Sequence, residues 1–489
     1  MLKQTKQTNR QTHLQQSQLT RNSMSIEDLS VVYEKYRKAF HQNTNTSLEY
    51  RLQRLKQLHS TILEYKTDLA VALDYDFGSR SMTETYLLEI GQTLEHLKYT
   101  IKNLKKWMKP IPREVPLHLQ PGKAMLIPQP KGIIGIISPW NYPILLSLTP
   151  LITAIAAGNT ALIKVSEYVP QTNNCLEKII KKALDNKCAC IIQGDETVAD
   201  AFSALPFDHL FFTGSTRIGK KVMEKAARNL TPVTLELGGK SPVIIGKNYN
   251  IQKAAKKIAL GKCLNAGQTC IAPDYILCPR EKVNELREAL ADSFYTMYPT
   301  QAENDDYTAI ISQSHFNRLQ KLLQDAIEKG ADVHSLSSDT DFCSTSKIPL
   351  TLLTNTTDNM NIMQEEIFGP LLPIIPIDSM SEALNYIQTR PHPLALYLMS
   401  DNPKTHDLVI KNTHSGGICI NDVLTHVAVH SLPFGGIRHS GIGRYHGKEG
   451  FYELSHLKSV FKRGKINPAS FITPPWNEKI NILIQKLFL

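Results

Sequence analysis

Residues 131–143 read Lys-Gly-Ile-Ile-Gly-Ile-Ile-Ser-Pro-Trp-Asn-Tyr-Pro. The run Gly132-Ile-Ile-Gly-Ile-Ile137 is short, apolar and rich in β-branched residues, the pattern of a fully buried strand. Working outward, a helix is predicted at about 145–157, then the strand Thr160-Ala-Leu-Ile-Lys164. Next come a helix at about 170–184, a strand near Ala189 to Ile192, the strand His209-Leu-Phe-Phe212 and a helix at about 216–228. Strand and helix in repetition predict an α/β chain with a doubly wound parallel sheet. Ligands of such sheets lie outside the carboxyl ends of the strands. The loops after Ile137, Lys164 and Phe212 are therefore where cofactor contacts are expected.

Before this core, Ser25 can cap a helix that carries Leu29, Val32, Tyr33, Tyr36 and Phe40 at helical spacing. Helical stretches are predicted at about 46–75 and 82–108, ended by Pro110, Pro112 and Pro116. A second alternating unit spans about Gly239 to Asn421, with helices near 250–263, 281–296, 313–329, 379–388 and 402–411. Residues 1–24 are Gln/Thr-rich and lack acids, so they are expected to be disordered. The last stretch, Trp476 to Leu489, puts Ile480, Leu483, Ile484 and Leu487 on one helical face, suited to docking on protein or, less favourably, to touching a membrane surface.

The composition is globular: 489 residues, 42% apolar and 20% charged, long enough for about two or three domains. A net charge of +10 favours anionic small ligands, but the basic residues are dispersed and lack interleaved aromatics, so nucleic acid is not expected as a partner. The eight cysteines sit in a chain without a secretory pattern, which predicts reduced thiols and a cytoplasmic setting. Cys188 and Cys190 are too close for a usual zinc pair, and no metal is expected. The most apolar stretch, 143–158, is interrupted by Ser147, Thr149, Pro150 and Thr153 and reads as a buried helix rather than a membrane span.

Four segments carry candidate chemistry. In Leu264-Asn-Ala-Gly-Gln-Thr-Cys270 the thiol follows loop residues at the end of a helix. Free backbone N–H groups there are expected to lower its pKa and to serve an oxyanion, whereas Cys263, inside the helix, reads as core. In Thr234-Leu-Glu-Leu-Gly-Gly-Lys240, Glu236 ends an apolar strand, where a carboxylate is costly unless functional or paired, Lys240 being the available partner. Asn141 can donate two hydrogen bonds, or simply make a turn. Phe211 to Gly219 is strand, turn and helix start, an arrangement whose N–H groups bind phosphate, although Gly214 and Gly219 do not make the usual dinucleotide fingerprint.

Together these segments resemble the aldehyde dehydrogenase superfamily. The resemblance rests on Pro139-Trp-Asn-Tyr-Pro143, Ile163-Lys-Val-Ser-Glu167, Phe212-Thr-Gly-Ser215, Leu235-Glu-Leu-Gly-Gly-Lys240, Asn265-Ala-Gly-Gln-Thr-Cys270, Glu365-Glu-Ile-Phe-Gly-Pro370 and Pro433-Phe-Gly-Gly436, in the family's order. Cys270-Ile-Ala-Pro-Asp-Tyr275 and Tyr445-His-Gly-Lys448 look like its fatty and aromatic aldehyde branch. Asp76-Phe-Gly-Ser-Arg80 and Leu205-Pro-Phe-Asp208 look most like the coniferyl aldehyde members.

The resemblance implies Cys270 as nucleophile, Glu236 as general base and Asn141 as oxyanion donor beside the Cys270 N–H. It implies cofactor contacts at Ile137, Ser138, Pro139, Trp140 and Leu237. Lys164 and Glu167 would hold the adenosine ribose, Gly214, Ser215 and Gly219 the diphosphate region, Glu366 the nicotinamide ribose and Phe368 the ring. Tyr142 and Phe434 would sit at the mouth of the substrate tunnel. Where the family commonly has Pro, this chain has Val165. Glu167 would repel a 2′-phosphate, which favours NAD and leaves NADP as the alternative.

The implied reaction oxidises an aldehyde, aromatic such as coniferyl aldehyde or long-chain aliphatic, to the acid through a thiohemiacetal and a thioester. The alternatives are a same-fold enzyme that passes the acyl group to coenzyme A, against which Glu236 argues, and a non-catalytic NAD-binding homologue. The implied organisation is a dinucleotide-binding domain at 25–238 with about 430–455, a catalytic domain at 239–429, an oligomerisation arm at about 118–130 and 456–470, and a helical tail at 471–489. Exposed strand edges in such an arm call for a partner, so a homodimer is expected.

Overall fold

The apolar run becomes the strand Ile133–Ile137 inside a six-stranded sheet. The computed structural model describes residues 24–185, 187–300, 303–336, 345–465 and 473–488. Across the sheet the strands are Gly441–Ile442, Val233–Leu237, His209–Gly214, Ile133–Ile137, Thr160–Lys164 and Ala189–Ile192, parallel except for Gly441–Ile442. Ile137 stands opposite both Lys164 and Phe212, so the carboxyl ends of these strands lie level along one edge.

Both faces of the sheet are covered, which is why its central strands are apolar at every position rather than alternating. Ile134 and Ile136 join the core that holds Leu148, Leu151 and Ile152 of the helix Pro143–Ala157. Ile133 and Ile137 face the other core, with Phe202 and with Leu29, Tyr33 and Tyr36 of the helix Ile26–Gln42. That first helix is capped by Ser25, whose hydroxyl accepts the Asp28 N–H at 3.0 Å. The helix Pro143–Ala157 is buried along almost its whole length. Among the described residues no helix is long and apolar enough to cross a membrane.

The predicted helix at 46–75 is two helices, Leu48–Glu64 and Lys66–Phe77, that meet at Tyr65. The stretch at 82–108 is a short helix, Met82–Thr85, a single π-helical turn, Tyr86–Gly91, and the helix Gln92–Trp107. A second sheet runs Asp332–Ser335, Thr351–Thr354, Leu371–Ile377, Tyr275–Pro279, Pro242–Ile245, Ala395–Met399 and Gly417–Ile420, parallel except at its first strand. A third, antiparallel sheet joins Ile111–Arg113, Lys123–Pro130 and Ser455–Lys462, the last two paired from Ser455 opposite Pro130 to Lys462 opposite Lys123.

Of the tail expected to be disordered, residues 1–23 lie outside the described residues. Met24, counted in it, is ordered and donates its N–H to the Gln193 carbonyl. Of the arm and the C-terminal tail, 466–472 and Leu489 also lie outside them. The helix Glu478–Phe488 leaves Ile482 and Leu483 exposed, at 48% and 42%, while Ile480 and Ile484 are half-buried.

Candidate active site

The carboxyl edge of the first sheet faces the segments that lead into the strands of the second. Between them lies a cavity of about 1080 Å³. The first unit contributes Pro139, Trp140 and Asn141 from the loop after Ile137, then Gly214 to Arg217, and Glu236. The second contributes Lys240 just before the strand Pro242–Ile245, Cys270 before Tyr275–Pro279, Glu366 and Phe368 before Leu371–Ile377, and His392 before Ala395–Met399. One sheet therefore presents its carboxyl ends and the other its amino ends, an inversion that the switch-point rule for a single sheet does not anticipate.

Cys270 is reached through a strained turn. Asn265 and Ala266 have φ of 51° and 50°, the left-handed region that side chains with a Cβ avoid. Gly267 follows at φ 73°, and a Cβ there would lie 2.5 Å from the Gly369 carbonyl oxygen. The turn is held from inside. Asn265 Nδ2 donates to the carbonyls of Asn141 and Gln268, both at 3.0 Å, and its backbone N–H donates to Glu84 at 2.8 Å. Gln268 is itself fixed by the Ala309 carbonyl and the Ile311 N–H. Asn141 Nδ2 donates to Gln268 O at 3.1 Å, which ties the amide to the cysteine loop.

The half-buried thiol is not lowered as its loop position suggests. The N–H groups of Cys270 and Ile271 do favour the thiolate, but burial and the Glu366 and Glu236 carboxylates outweigh them and push Cys270 up to about 12. Backbone donors are local and legible in sequence; the opposing carboxylates arrive from other segments.

Glu236 ends the strand Val233–Leu237, is 3% exposed, and neither carboxylate oxygen has a hydrogen-bond partner among the described residues. Burial, with the Glu453 carboxylate adding to it, holds Glu236 well above the usual carboxylate range. Lys240, its alternative partner, is engaged elsewhere: it pairs with Asp274 and donates to the carbonyls of Ile362 at 2.7 Å and Glu365 at 2.9 Å. Asp274 in turn accepts the Ile367 N–H at 2.9 Å, so this ion pair pins the loop that carries Glu366. Arg318 adds a bond to the Glu366 carbonyl at 3.2 Å.

Glu366 is raised to about 8, mainly by burial and next by Asp274, and its Oε1 has no partner among the described residues. Its carboxylate lies against Gly238, where a Cβ would fall 2.0 Å from Oε2. Phe368 meets the Trp140 ring edge-on at 5.5 Å. The His315 ring lies 4.9 Å from Trp140 and 5.7 Å from Tyr168, and burial together with Arg318 lowers it to about 4.

The remaining positions divide. Ser215 caps the helix Thr216–Ala227 at the cavity wall, and Gly219 lies one turn in, where a Cβ would strike Leu237 at 2.6 Å. Ile137, Ser138 and Leu237 are buried behind the wall. Lys164 and Glu167 sit at the end of the neighbouring strand, 3.7 Å apart, with Lys164 also donating to the Val165 carbonyl.

Tyr142 and Phe434 do not line this cavity. Tyr142 is 7% exposed, shares a hydrogen bond with Thr269 Oγ1 at 2.8 Å and lies under the Arg80 guanidinium. Phe434 is 8% exposed and stacks on His446 at 5.7 Å. Arg80, Asp274, His315 and Arg318 are the residues that sequence reasoning did not bring to the site. Arg80 and Asp274 stood inside quoted motifs, whereas nothing local marks the other two.

A cofactor with two ribose diols and a diphosphate fits what is present. A Glu366 carboxylate whose Oε1 is unpartnered among the described residues, a close-approach glycine beside it and a capped helix start all border the cavity. Among the described residues no group of His, Cys, Asp and Glu could hold a metal ion, and the described cysteines are free thiols.

The family profile described as "Aldehyde dehydrogenase family" matches residues 3–460. A probable coniferyl aldehyde dehydrogenase of Pseudomonas aeruginosa is 44% identical over 98% of both chains. The 4,4'-diaponeurosporen-aldehyde dehydrogenase of Staphylococcus aureus is 41% identical over 91% of this chain and 96% of its own. The solved substrate-bound state of Staphylococcus aureus AldH superposes with a TM-score of 0.88 at 39% identity, covering 94% of this chain and 99% of that one.

Proposed function

Because this chain belongs to the aldehyde dehydrogenase family and is an NAD(P)-dependent aldehyde dehydrogenase, we propose that Cys270 is its nucleophile, Glu236 its general base and Asn141 its oxyanion donor. The observation that carries this reading is the meeting of Cys270, Asn141 and an unpaired, buried Glu236 around one cavity. A carboxylate with a raised pKa and no structural partner is poised to take a proton from water.

Cys270 Sγ attacks the aldehyde carbon as its thiolate. The oxygen becomes an oxyanion held by Asn141 Nδ2 and the Cys270 N–H, each such donor being worth about 3 to 4 kcal/mol. Bound NAD supplies the acceptor for the hydride lost from that carbon. Cys270 is then left as a thioester. Glu236 takes a proton from water, the resulting hydroxide displaces the thiolate, and the carboxylic acid departs. A thiol near 12 in the free chain is mostly protonated at neutral pH, so attack needs cationic charge brought into the site, which a bound nicotinamide ring would supply.

Glu366 is suited to hold the nicotinamide ribose, with Phe368 and Trp140 beside the ring. Lys164 and Glu167 suit the adenosine ribose, Glu167 favouring NAD over NADP. The helix start from Gly214 and Ser215 suits the diphosphate.

The physiological substrate we propose is an aromatic aldehyde of the coniferyl type, on the strength of the Pseudomonas relative. The Staphylococcus relative makes a long apolar aldehyde the second reading. Comparing kcat/KM for coniferyl aldehyde, a medium-chain alkanal and acetaldehyde decides between them, and preference for acetaldehyde would remove both. The uncovered antiparallel sheet that ends on Ser455–Lys462 favours a homodimer, which sedimentation as a monomer would contradict.

A further inference from the structure

The motif Asp76-Phe-Gly-Ser-Arg80 has no part in the chemistry above, yet it touches both ends of the cavity loop system. Asp76 accepts the N–H groups of Gln171 at 3.0 Å and Thr172 at 2.8 Å, holding the helix Pro170–Ala183 that follows Glu167. Arg80 is 1% exposed, among the most deeply buried cations of the described chain. Its Nη1 donates to the Asn141 carbonyl at 2.8 Å. Its Nη2 stands 3.0 Å from Glu89 Oε1 as an ion pair, without the alignment of a hydrogen bond. The guanidinium plane lies over the rings of Phe77, at 4.7 Å, and Tyr142, at 5.0 Å.

Burying a full charge is costly, and a planar cation packed between two rings has its orientation fixed. What that orientation holds is the backbone of Asn141. The same carbonyl accepts from Asn265 Nδ2, and Asn265 also binds Gln268 O, the acceptor of the Asn141 side-chain amide. Glu89 belongs to the same frame: its other oxygen accepts the N–H groups of Ile144 and Leu145 at the start of the next helix. Arg80 thus ties the Asn141 backbone through Glu89 to a helix start, while Asn265 ties the same carbonyl to the cysteine loop.

We infer that Arg80 is a positioning residue for the oxyanion step: it holds Asn141 so that the amide proton not used by Gln268 stays directed at the reacting carbonyl oxygen. The inference rests on the assignment of Asn141 as oxyanion donor. The residue type matters, because a lysine could still neutralise Glu89 but offers no planar fork to reach the Asn141 carbonyl at the same time.

The test is a cycle of R80K, N141A and the double variant in the full chain. It reads the single-turnover rate of NADH formation, the dissociation constant for NAD by calorimetry, and the thermal midpoint. R80K is expected to slow hydride transfer about tenfold while NAD affinity stays within twofold and the midpoint within a few degrees. In the N141A background R80K should change the rate less than twofold. A tenfold loss that persists in N141A, or a rate that falls only in step with NAD affinity, would overturn the inference in favour of plain structural support. So would an R80K enzyme as fast as the parent. If R80K does not fold, the paired variant R80Q/E89Q, which removes both charges, replaces it in the same cycle. N141A with full activity would instead defeat the assignment of Asn141 itself, so the two failures are told apart.

Discussion

Replacing Gly238 with Ala perturbs the cofactor side of the site through one methyl group. The new Cβ would fall 2.0 Å from Glu366 Oε2, 2.3 Å from Oε1 and 2.4 Å from Cδ. Ordinary contact needs roughly 3.4 Å or more between such atoms, so the carboxylate must retreat by about 1.4 Å. The obstacle is the far end of a side chain that borders the cavity, not backbone. Glu366 can therefore swing into open space, and the fold pays little. The function loses more: a charge-assisted hydrogen bond to a ribose hydroxyl is worth about 1.5 to 3 kcal/mol, equivalent to roughly a 10- to 150-fold rise in the NAD dissociation constant. Calorimetric titration with NAD, paired with a thermal melt, measures both. The expected result is weakened binding with a midpoint within about 2 °C of the parent. NAD affinity unchanged within twofold would show that Glu366 does not hold the cofactor, and an equal collapse of affinity and midpoint would show that the clash is absorbed by backbone.

Three further outcomes follow from the same geometry. Gly267→Ala meets the Gly369 carbonyl at 2.5 Å from a left-handed position, and backbone cannot step aside; stability should fall by about 1 to 3 kcal/mol, seen as a lower urea midpoint, and a neutral result would argue against the strained turn. Glu236→Gln should still give an NADH burst but lose steady-state turnover by about 10² to 10⁴. Because the folded protein binds the Glu236 proton more tightly than the unfolded chain does, the parent loses stability as pH rises from the ordinary carboxylate range up through the raised Glu236 pKa. The Gln variant lacks this loss, and parallel melting curves against pH would contradict the raised pKa. Finally, a Cys270 thiol near 12 should react slowly with iodoacetamide at pH 7, with a rate rising about tenfold per pH unit up to that region. Fast alkylation at neutral pH in the absence of NAD would refute the raised value.

Much of the fold was legible because its signals are local. An apolar run such as 132–137, followed by turn residues and a helical period, states its conformation within a few residues. The helix at 46–75 was misread as continuous because the break at Tyr65 carries no proline or glycine. The site was legible to the extent that chemistry needs particular residue types in particular turns. A thiol after Gly267, Gln268 and Thr269, and a carboxylate followed by two glycines, are uncommon enough to be noticed. Tyr142 and Phe434 fall outside the cavity lining, and nothing in an aromatic residue's neighbours says whether its ring faces a cavity or the core.

The amino-acid sequence by itself determined the parallel α/β sheets, the order of the motifs, and which sulfur and which carboxylate are the candidates for reaction. Each of these depends on residue type and short-range spacing. Only the tertiary structure decided how those groups behave. The Cys270 thiol is raised by burial and by carboxylates from two other segments, and Glu236 is left unpaired while Lys240 turns to Asp274. Arg80 reaches Asn141 across 61 positions of chain. Burial and Coulomb interactions sum over everything nearby in space, whatever its place in the sequence, and so they exist only once the chain has closed around the cavity.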